Sequence, residues 1–241
     1  MNDRIGEPSV GVPSSSNIAA GTEPAVHILD CGIGLGFLIE TQAGLYLLDC
    51  GSPGREDVVL AKMRELGRSD LKAIWISHAH YDHYGSAARL RQLTGAKIGI
   101  HPADADALAN GKSPLGTTRS YGFVYAMVQP LIKIIHPLQP VFPDFTLEDG
   151  ESLQRFGLEA LILHTPGHTP GSSTLLLADG TAFASDLLGS ASRPHLQSLL
   201  ATDWQELPVS LKHLQAAHPK QVYAGHSHKV IHGDVFKAII P

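Results

Sequence analysis

The sequence predicts a single α/β domain, and three observations carry this prediction. Apolar runs of strand length alternate with segments of helical spacing from residue 25 to the end of the chain. Hydrophobic residues make up 43% and charged residues 17% of the 241 residues, a composition typical of globular proteins. No stretch approaches the roughly 18 consecutive apolar residues that a membrane span requires.

The elements of the first half follow from these runs. Residues 1–24 are predicted to be a disordered leader, because Gly, Pro, Ser, Thr and Asn dominate them and leave little apolar surface to offset the entropy of ordering. The folded domain is predicted to comprise residues 25–241. Strands are predicted at 25–29, 37–40, 45–48, 73–77 and 97–101, with helices at 57–66 and 86–93.

The segment 110–143 is predicted to be a helical insertion. Its prolines predict that no long helix runs through it intact, and its apolar residues fit two short helices around Pro130. These helices either pack their apolar face on the core or form a lid whose apolar face lines a substrate pocket. Beyond the insertion, strands are predicted at 158–163, 173–177, 182–185 and 221–224, and helices at 203–217, capped by Thr202 or Asp203, and 234–240.

Charge and cysteine content exclude some partners and indicate a compartment. The net charge of −5 supplies no broad basic surface, which argues against nucleic acid as a partner and favours a small-molecule substrate. The two cysteines, Cys31 and Cys50, cannot build a disulfide framework, so a reducing, cytoplasmic location is expected. The sequence leaves a monomer and a homodimer open.

A cluster of histidines follows the predicted strand 73–77. His78, His80, Asp82 and His83 fall within six residues, where random scatter of His and Asp would give about 0.003 such matches in the chain. Neutral imidazole together with carboxylate suits Zn²⁺, with Fe and Mn as alternatives. Four ligands on one loop cannot converge on a single ion without strain, so two ions held about 3.5–4 Å apart fit better.

The pattern His78-x-His80-x-Asp82-His83 resembles the signature of the metallo-β-lactamase fold superfamily, in its glyoxalase II-like branch. Further segments continue the resemblance in order along the chain. They are Asp49-Cys50-Gly51, Thr165-Pro166-Gly167-His168-Thr169, Phe183-Ala184-Ser185-Asp186 and Gly225-His226. The resemblance implies a four-layer αββα sandwich, to which 110–143 adds a helical, lid-like insertion.

The resemblance also implies a ligand set for two divalent ions, most simply Zn. One ion would take His78, His80 and His168, and the other Asp82, His83 and His226, with Asp186 shared between them. Asp49 would orient a ligand histidine without binding metal itself. The sequence departs from the resemblance at Ser185, where relatives usually carry Gly, and this puts only fine geometry in question.

The implied activity is hydrolysis by a metal-bound hydroxide, with Asp82 and Asp186 as the catalytic carboxylates. A thioester or ester carbonyl is the expected target, because a thiolate with a conjugate-acid pKa of about 8.5 leaves readily. Only residues 227–241 follow His226, so the C-terminal domain through which glyoxalase II binds glutathione is not expected. Substrate contacts are instead expected from Lys112, Arg119, Met127, Lys133 and His228.

Three alternatives stay open. A mononuclear iron persulfide dioxygenase of this superfamily would use the matches to His78, His168 and Asp186 only. A lactonase of the superfamily would carry tyrosine where this chain has Gly189, which weakens that alternative. A non-catalytic binding module on the same fold would not need an intact set of seven ligand positions.

Overall fold

The structure is a computed structural model and describes residues 24–189 and 193–240, so the predicted leader lies outside the described residues apart from Pro24. The strands are β1 Ala25–Asp30, β2 Leu35–Glu40, β3 Leu45–Leu48, β4 Leu71–Ile76, β5 Lys97–Ile100, β6 Thr117–Thr118, β7 Phe145–Thr146, β8 Ala160–His164, β9 Ser173–Leu177, β10 Thr181–Ser185, β11 Leu200–Ala201, β12 Gln221–Ala224 and β13 Ile231–His232. The α-helices are α1 Glu56–Glu65, α2 Tyr81–Tyr84, α3 Ala87–Thr94, α4 Pro102–Ala109, α5 Gly122–Ile135, α6 Glu206–Ala216 and α7 Gly233–Lys237.

Two sheets form the centre of the molecule. The first has the strand order β1-β2-β3-β4-β5-β7, and the second has the order β13-β12-β10-β9-β8. Strands β3, β4, β5 and β7 are mutually parallel, whereas β1, β2 and β3 pair antiparallel. The short strands β6 and β11 pair with each other outside these sheets.

Three apolar layers separate four layers of structure, as the αββα expectation requires. Alternate residues of β4 contribute to two of these apolar layers. Ile74 and Ile76 pack under the helices outside the first sheet, while Trp75 packs between the sheets. Trp75 stacks on Tyr46 with ring centroids 5.5 Å apart. Outside the second sheet, α6 and α7 cover a third cluster that includes Leu211. The predicted four-layer sandwich is confirmed.

The insertion departs from the predicted pair of short helices, and that prediction is wrong. Helix α5 runs unbroken from Gly122 to Ile135 with Pro130 inside it. An interior proline removes one backbone hydrogen bond at a cost of about 3 kcal/mol, but the bonds on either side can keep the helix continuous. The expected N-cap also differs, since α6 begins at Glu206, although Asp203 Oδ1 accepts from the amides of Gln205 and Glu206.

Helix α5 turns its apolar side outward. Met127 is 75% and Ile134 is 77% exposed. Its inward side carries Gln129, which is buried and donates from Nε2 to Ser113 Oγ at 3.1 Å. Whether 110–143 acts as a lid stays a prediction.

Within the described ranges, no helix has both the length and the apolar character to cross a membrane.

Candidate metal centre

Loops at one edge of the two sheets bring the predicted ligand residues together. Strands β4, β8, β10 and β12 all run toward this edge, and the loop after each carries at least one of these residues. The loops touch one another, since Ser173 N donates to Ser77 O at 3.0 Å and Leu35 N donates to Gly225 O at 3.0 Å. The seven side chains are His78, His80, Asp82, His83, His168, Asp186 and His226.

Three histidine nitrogens converge in the first half of the centre. His168 Nε2 lies 3.2 Å from His78 Nε2 and 2.9 Å from His80 Nδ1. Three nitrogens around a tetrahedral Zn²⁺ with bonds of about 2.0–2.1 Å lie about 3.3 Å apart, close to these separations. All three rings are buried, so the group has the dimensions and the dryness of a metal site.

Asp186 lies between this group and a second one. Its Oδ2 is 3.4 Å from His168 Nε2 and 3.2 Å from His226 Nε2. Asp82 Oδ2 is 3.6 Å from His226 Nε2 and 4.0 Å from His83 Nε2, so these three side chains can form a second ligand group. One carboxylate therefore touches both groups.

Backbone carbonyl oxygens accept hydrogen bonds from the ring nitrogens that face away from the centre. His80 Nε2 donates to Pro114 O at 2.6 Å, and His168 Nδ1 donates to Leu200 O at 2.9 Å. His226 Nδ1 donates in the same way to Ile33 O at 3.0 Å. Because each of these nitrogens carries the proton, the nitrogen facing the centre presents a lone pair, which is the arrangement that metal-binding histidines need.

The Asp49 carboxylate accepts the hydrogen bond from the far ring nitrogen of His83. Its Oδ2 accepts from His83 Nδ1 at 2.8 Å, while its Oδ1 accepts from Ser77 N at 2.8 Å. Ser77 Oγ also donates to Asp49 Oδ2 at 2.7 Å, and it lies 3.0 Å from His78 Nδ1. The buried Asp49 carboxylate thus orients rings in both groups.

The residues fit bound cations, as two orphaned atoms show. His83 Nε2 and Asp186 Oδ1 are buried and have no hydrogen-bond partner among the described residues. Such atoms are costly to bury unless something binds them. They lie 3.5 Å apart and belong to a convergent group with His78.

The direction of the histidine pKa shifts differs between the two ligand groups. Burial and the neighbouring imidazoles hold the pKa of His78 and the pKa of His80 well below the usual histidine range. Burial also acts to raise the pKa of Asp186, but His226 and His83 outweigh it and keep that pKa well below its usual value. The carboxylates conversely raise the pKa of His226 to about 10 against burial, which acts to lower it. Cation binding would displace protons from this half.

Ser185 occupies a backbone conformation that suits glycine better than serine. Ser185 has φ of 45°, in the left-handed region that side chains other than glycine rarely occupy. Its hydroxyl lies 2.7 Å from Ser77 Oγ and 3.4 Å from Asp49 Oδ2. These hydrogen bonds offset part of the backbone strain, and they add Ser185 to the network that orients His83.

A buried carboxylate that the sequence did not reveal joins two of the ligand loops. Asp104, at the start of α4, accepts from Ala79 N at 2.9 Å and from Thr169 Oγ1 at 2.7 Å. Its other oxygen accepts from Gly171 N at 2.8 Å. Asp104 therefore ties the loop of His78 to the loop of His168.

A cavity of about 370 Å³ opens onto the centre. Asp82, Asp186 and His226 lie at its floor, and most of its wall is apolar. Tyr125 of α5 also lines it, and its hydroxyl donates to Asp82 Oδ1 at 3.4 Å. The remaining wall residues include Ile33, Tyr121, Leu188, Gly189, His195, Gln197 and Leu199.

The residues predicted to contact substrate lie elsewhere. Lys112 is exposed 3.9 Å from Asp106, and Arg119 covers the Trp204 ring at 4.1 Å. Met127 projects outward from α5, and the fourth residue, His228, pairs with an aspartate on the surface at 2.8 Å. None of the four lines the described cavity, and the side chain of the fifth, Lys133, lies outside what the structure describes.

Tyr125 and His195 line the cavity, yet sequence reasoning missed both. Tyr125 lies on α5, and the apolar spacing of that helix points to the opposite, outward side. His195 packs against Gly189, where any side chain would collide with the imidazole ring. No local pattern signals either residue, because each reaches the site through contacts distant in sequence.

The sequence profile described as the metallo-beta-lactamase superfamily matches residues 29–226. The probable metallo-hydrolase YflN of Bacillus subtilis (strain 168) is 28% identical over 184 residues, 69% of this chain and 66% of that protein. The hydroxyacylglutathione hydrolase of Pseudomonas aeruginosa (strain LESB58) is 31% identical over 122 residues, 47% of this chain and 34% of that protein. The chain thus spans between about a third and two thirds of the length of these relatives.

Solved structures share the architecture. A metallo-beta-lactamase HARLDQ motif mutant from Cronobacter sakazakii superposes with a TM-score of 0.61 at 26% identity, covering 83% of this chain and 77% of that chain. TTHA1623 in a di-iron-bound form superposes with a TM-score of 0.64 at 24% identity, over 91% of this chain and 99% of that chain, a likeness that shows the fold alone. With the profile spanning most of its length and the four-layer fold shared with these structures, the chain belongs to the metallo-beta-lactamase superfamily.

Proposed function

We propose that this protein is a hydrolase that uses two divalent ions on a thioester or ester carbonyl. The observation that carries the proposal is the placement of Asp186. Its carboxylate contacts both His168 and His226, and its buried Oδ1 has no hydrogen-bond partner among the described residues. One ion would be held by His78, His80 and His168, and the other by Asp82, His83 and His226, with Asp186 bridging.

Zinc is the favoured metal, because imidazole and carboxylate donors at tetrahedral spacing suit it. Two such ions, when bound by these residues, would supply a hydroxide nucleophile at neutral pH and Lewis-acid polarisation for a carbonyl. The protein's own contribution is to fix the ligands in place. Tyr125 donates to Asp82 Oδ1, which leaves Asp82 Oδ2 facing His226 Nε2.

The cavity supports an acyl substrate. Its mainly apolar wall suits the hydrocarbon part of an acyl group, while Asp82, Asp186 and His226 lie where the reacting carbonyl would reach. A thioester is favoured over an amide, since a thiolate leaves without a dedicated proton donor. The hydroxyacylglutathione hydrolase relative is named for a thioester substrate, which supports this choice.

The test combines metal analysis with a panel of thioesters, esters and lactones. Two zinc ions per chain and thioesterase activity are expected for the parent protein. Asp186→Asn is expected to lower kcat by at least 10²-fold and to reduce the metal content below two. Asp57→Asn, at an exposed carboxylate on α1, is the matched control and should behave as the parent does.

Three results would overturn the proposal. The first is an Asp186→Asn protein that keeps two metal ions and full activity. The second is a parent protein that holds one iron per chain and consumes oxygen with a thiol substrate, which would favour the persulfide dioxygenase alternative. Absence of turnover across the whole panel with metal bound would favour a binding module.

A further inference from the structure

A second cavity, of about 400 Å³, borders the one above the metal centre. Ile33 lines both cavities and forms the wall between them. The backbone holds this wall in place, because Ile33 O accepts from His226 Nδ1 at 3.0 Å and Ile33 N donates to Ser52 Oγ at 3.3 Å. The two cavities therefore adjoin at Ile33, and a molecule bound at the centre would need to pass this residue to reach the second cavity.

The same side of α5 covers both cavities. Tyr125 lines the cavity over the centre, and Ile132 and His136 line the second one. Positions seven residues apart share a helix face, and His136 directly follows the last residue of α5. Tyr125 and Ile132 are seven residues apart, which at 1.5 Å per residue places the two cavities about 10 Å from each other along α5.

The second cavity offers hydrogen-bond donors and a positive charge. Arg55 and His136 line it, and no acidic residue does so among the described residues. Within the described ranges, the Arg55 side chain makes no ion pair or hydrogen bond. The nearby acid Asp30 is already paired with His228 at 2.8 Å.

Tyr81 adds a hydrogen-bond donor to the second cavity. The residue is only 2% exposed and lines this cavity, and its hydroxyl makes no hydrogen bond to another described residue. The hydroxyl is therefore available to donate to an acceptor in the cavity. Ser52 Oγ accepts from Ile33 N and keeps its own hydrogen free to donate.

We propose that the second cavity is a substrate subsite for a carboxylate, held by Arg55 and Tyr81, about 10 Å from the reacting carbonyl. This proposal rests on the hydrolase function and names its substrate class, an acyl thioester or ester whose far end carries a carboxylate. Arg55 supplies a charged donor pair that matches a carboxylate, and Tyr81 adds a third donor from the buried side.

The test separates binding from hydrolysis. Two hydrolysis-resistant thioether analogues are compared by calorimetry on metal-free protein, one ending in a carboxylate about 10 Å from the acyl position and one ending in a methyl amide. The carboxylate analogue is expected to bind about tenfold more tightly, as a charge-assisted hydrogen bond predicts. The advantage should shrink at high salt, because Arg55 is exposed.

Variants assign the effect to the cavity. Arg55→Ala is expected to abolish the tenfold preference and Arg55→Lys to keep part of it. Arg64→Ala, at the exposed far end of α1, is the matched control and should keep all of it. Tyr81→Phe should reduce the preference a few-fold without removing it. The corresponding thioester substrates should show the same pattern in the ratio of their kcat/KM values.

Equal binding of the two analogues by the parent protein would overturn the subsite. A preference that survives Arg55→Ala would overturn its assignment to Arg55. The hydrolase function fails in a distinguishable way, since the carboxylate preference would then remain in the binding experiment while neither thioester was turned over.

Discussion

Replacing Asp104 with asparagine is expected to destabilise the protein by about 3 kcal/mol. The buried carboxylate accepts three hydrogen bonds, two of them at one oxygen and one at the other. An asparagine can place its single oxygen at only one of these positions, so its amide must face at least one N–H or O–H donor. Losing one charge-assisted bond costs about 1.5–3 kcal/mol, and the donor left unpaired adds to this.

Thermal unfolding measured on metal-free protein provides the assay. For a domain of this size 1 kcal/mol corresponds to about 2–4 °C, so Asp104→Asn should lower Tm by about 6–12 °C. Asp106→Asn is the control, because its side chain lies on the same helix and is 84% exposed. It should change Tm by less than about 2 °C. An Asp104→Asn protein that melts within 2 °C of the parent would refute the reasoning.

Three further predictions follow from the same contacts. Asp49→Asn should weaken metal affinity by about 10- to 100-fold, measured by competition with a chelator, because a ligand histidine loses its carboxylate partner. Burial and the stacked His164 ring lower the pKa of His101 to about 4 from an unfolded value near 6.5. The free energy of unfolding should therefore fall as pH drops from 6.5 to 4, on the order of 1 kcal/mol for this half-exposed ring. His101 Nδ1 accepts from Ala103 N at the start of α4, and the side-chain oxygen of asparagine can replace this acceptor. His101→Asn should therefore lose that part of the pH dependence in urea titrations. Tyr125→Phe should change KM or kcat in steady-state kinetics with the metal content retained, whereas Met127→Ala, on the outward side of α5, should change neither.

Much of the fold is predictable because most of the longer sheet strands are largely apolar runs between turn residues. The run 45–48 and the run 173–177 match β3 and β9 residue for residue. Both strands are almost entirely buried on both faces, so apolar residues dominate them, with only Ser173 and Thr174 of β9 polar. The sequence does not predict the unbroken helix α5, because an interior proline usually ends a helix, whereas here Pro130 removes only one of its hydrogen bonds.

The candidate site, like the fold, is only partly predictable from the sequence. Residue type and spacing revealed His78, His80, Asp82 and His83, because the four lie within six residues after one strand. The contacts that orient them are not visible in a local pattern. Asp104 reaches Thr169 across 65 residues, and carboxylates at such positions look like any other acid on a helix.

The outward apolar side of α5 has a dynamic consequence. Most helices in globular proteins gain their stability by burying an apolar face, whereas α5 leaves Met127, Leu131 and Ile134 in solvent. Its attachment depends mainly on polar contacts such as the bond from Gln129 to Ser113. The amide hydrogens of α5 should therefore exchange with solvent through local opening, at a much lower free energy than those of β3 or β4. Entry to the cavity beneath would then be controlled by the unfolding of a single helix, independently of the rigid sheets that hold the ligand loops.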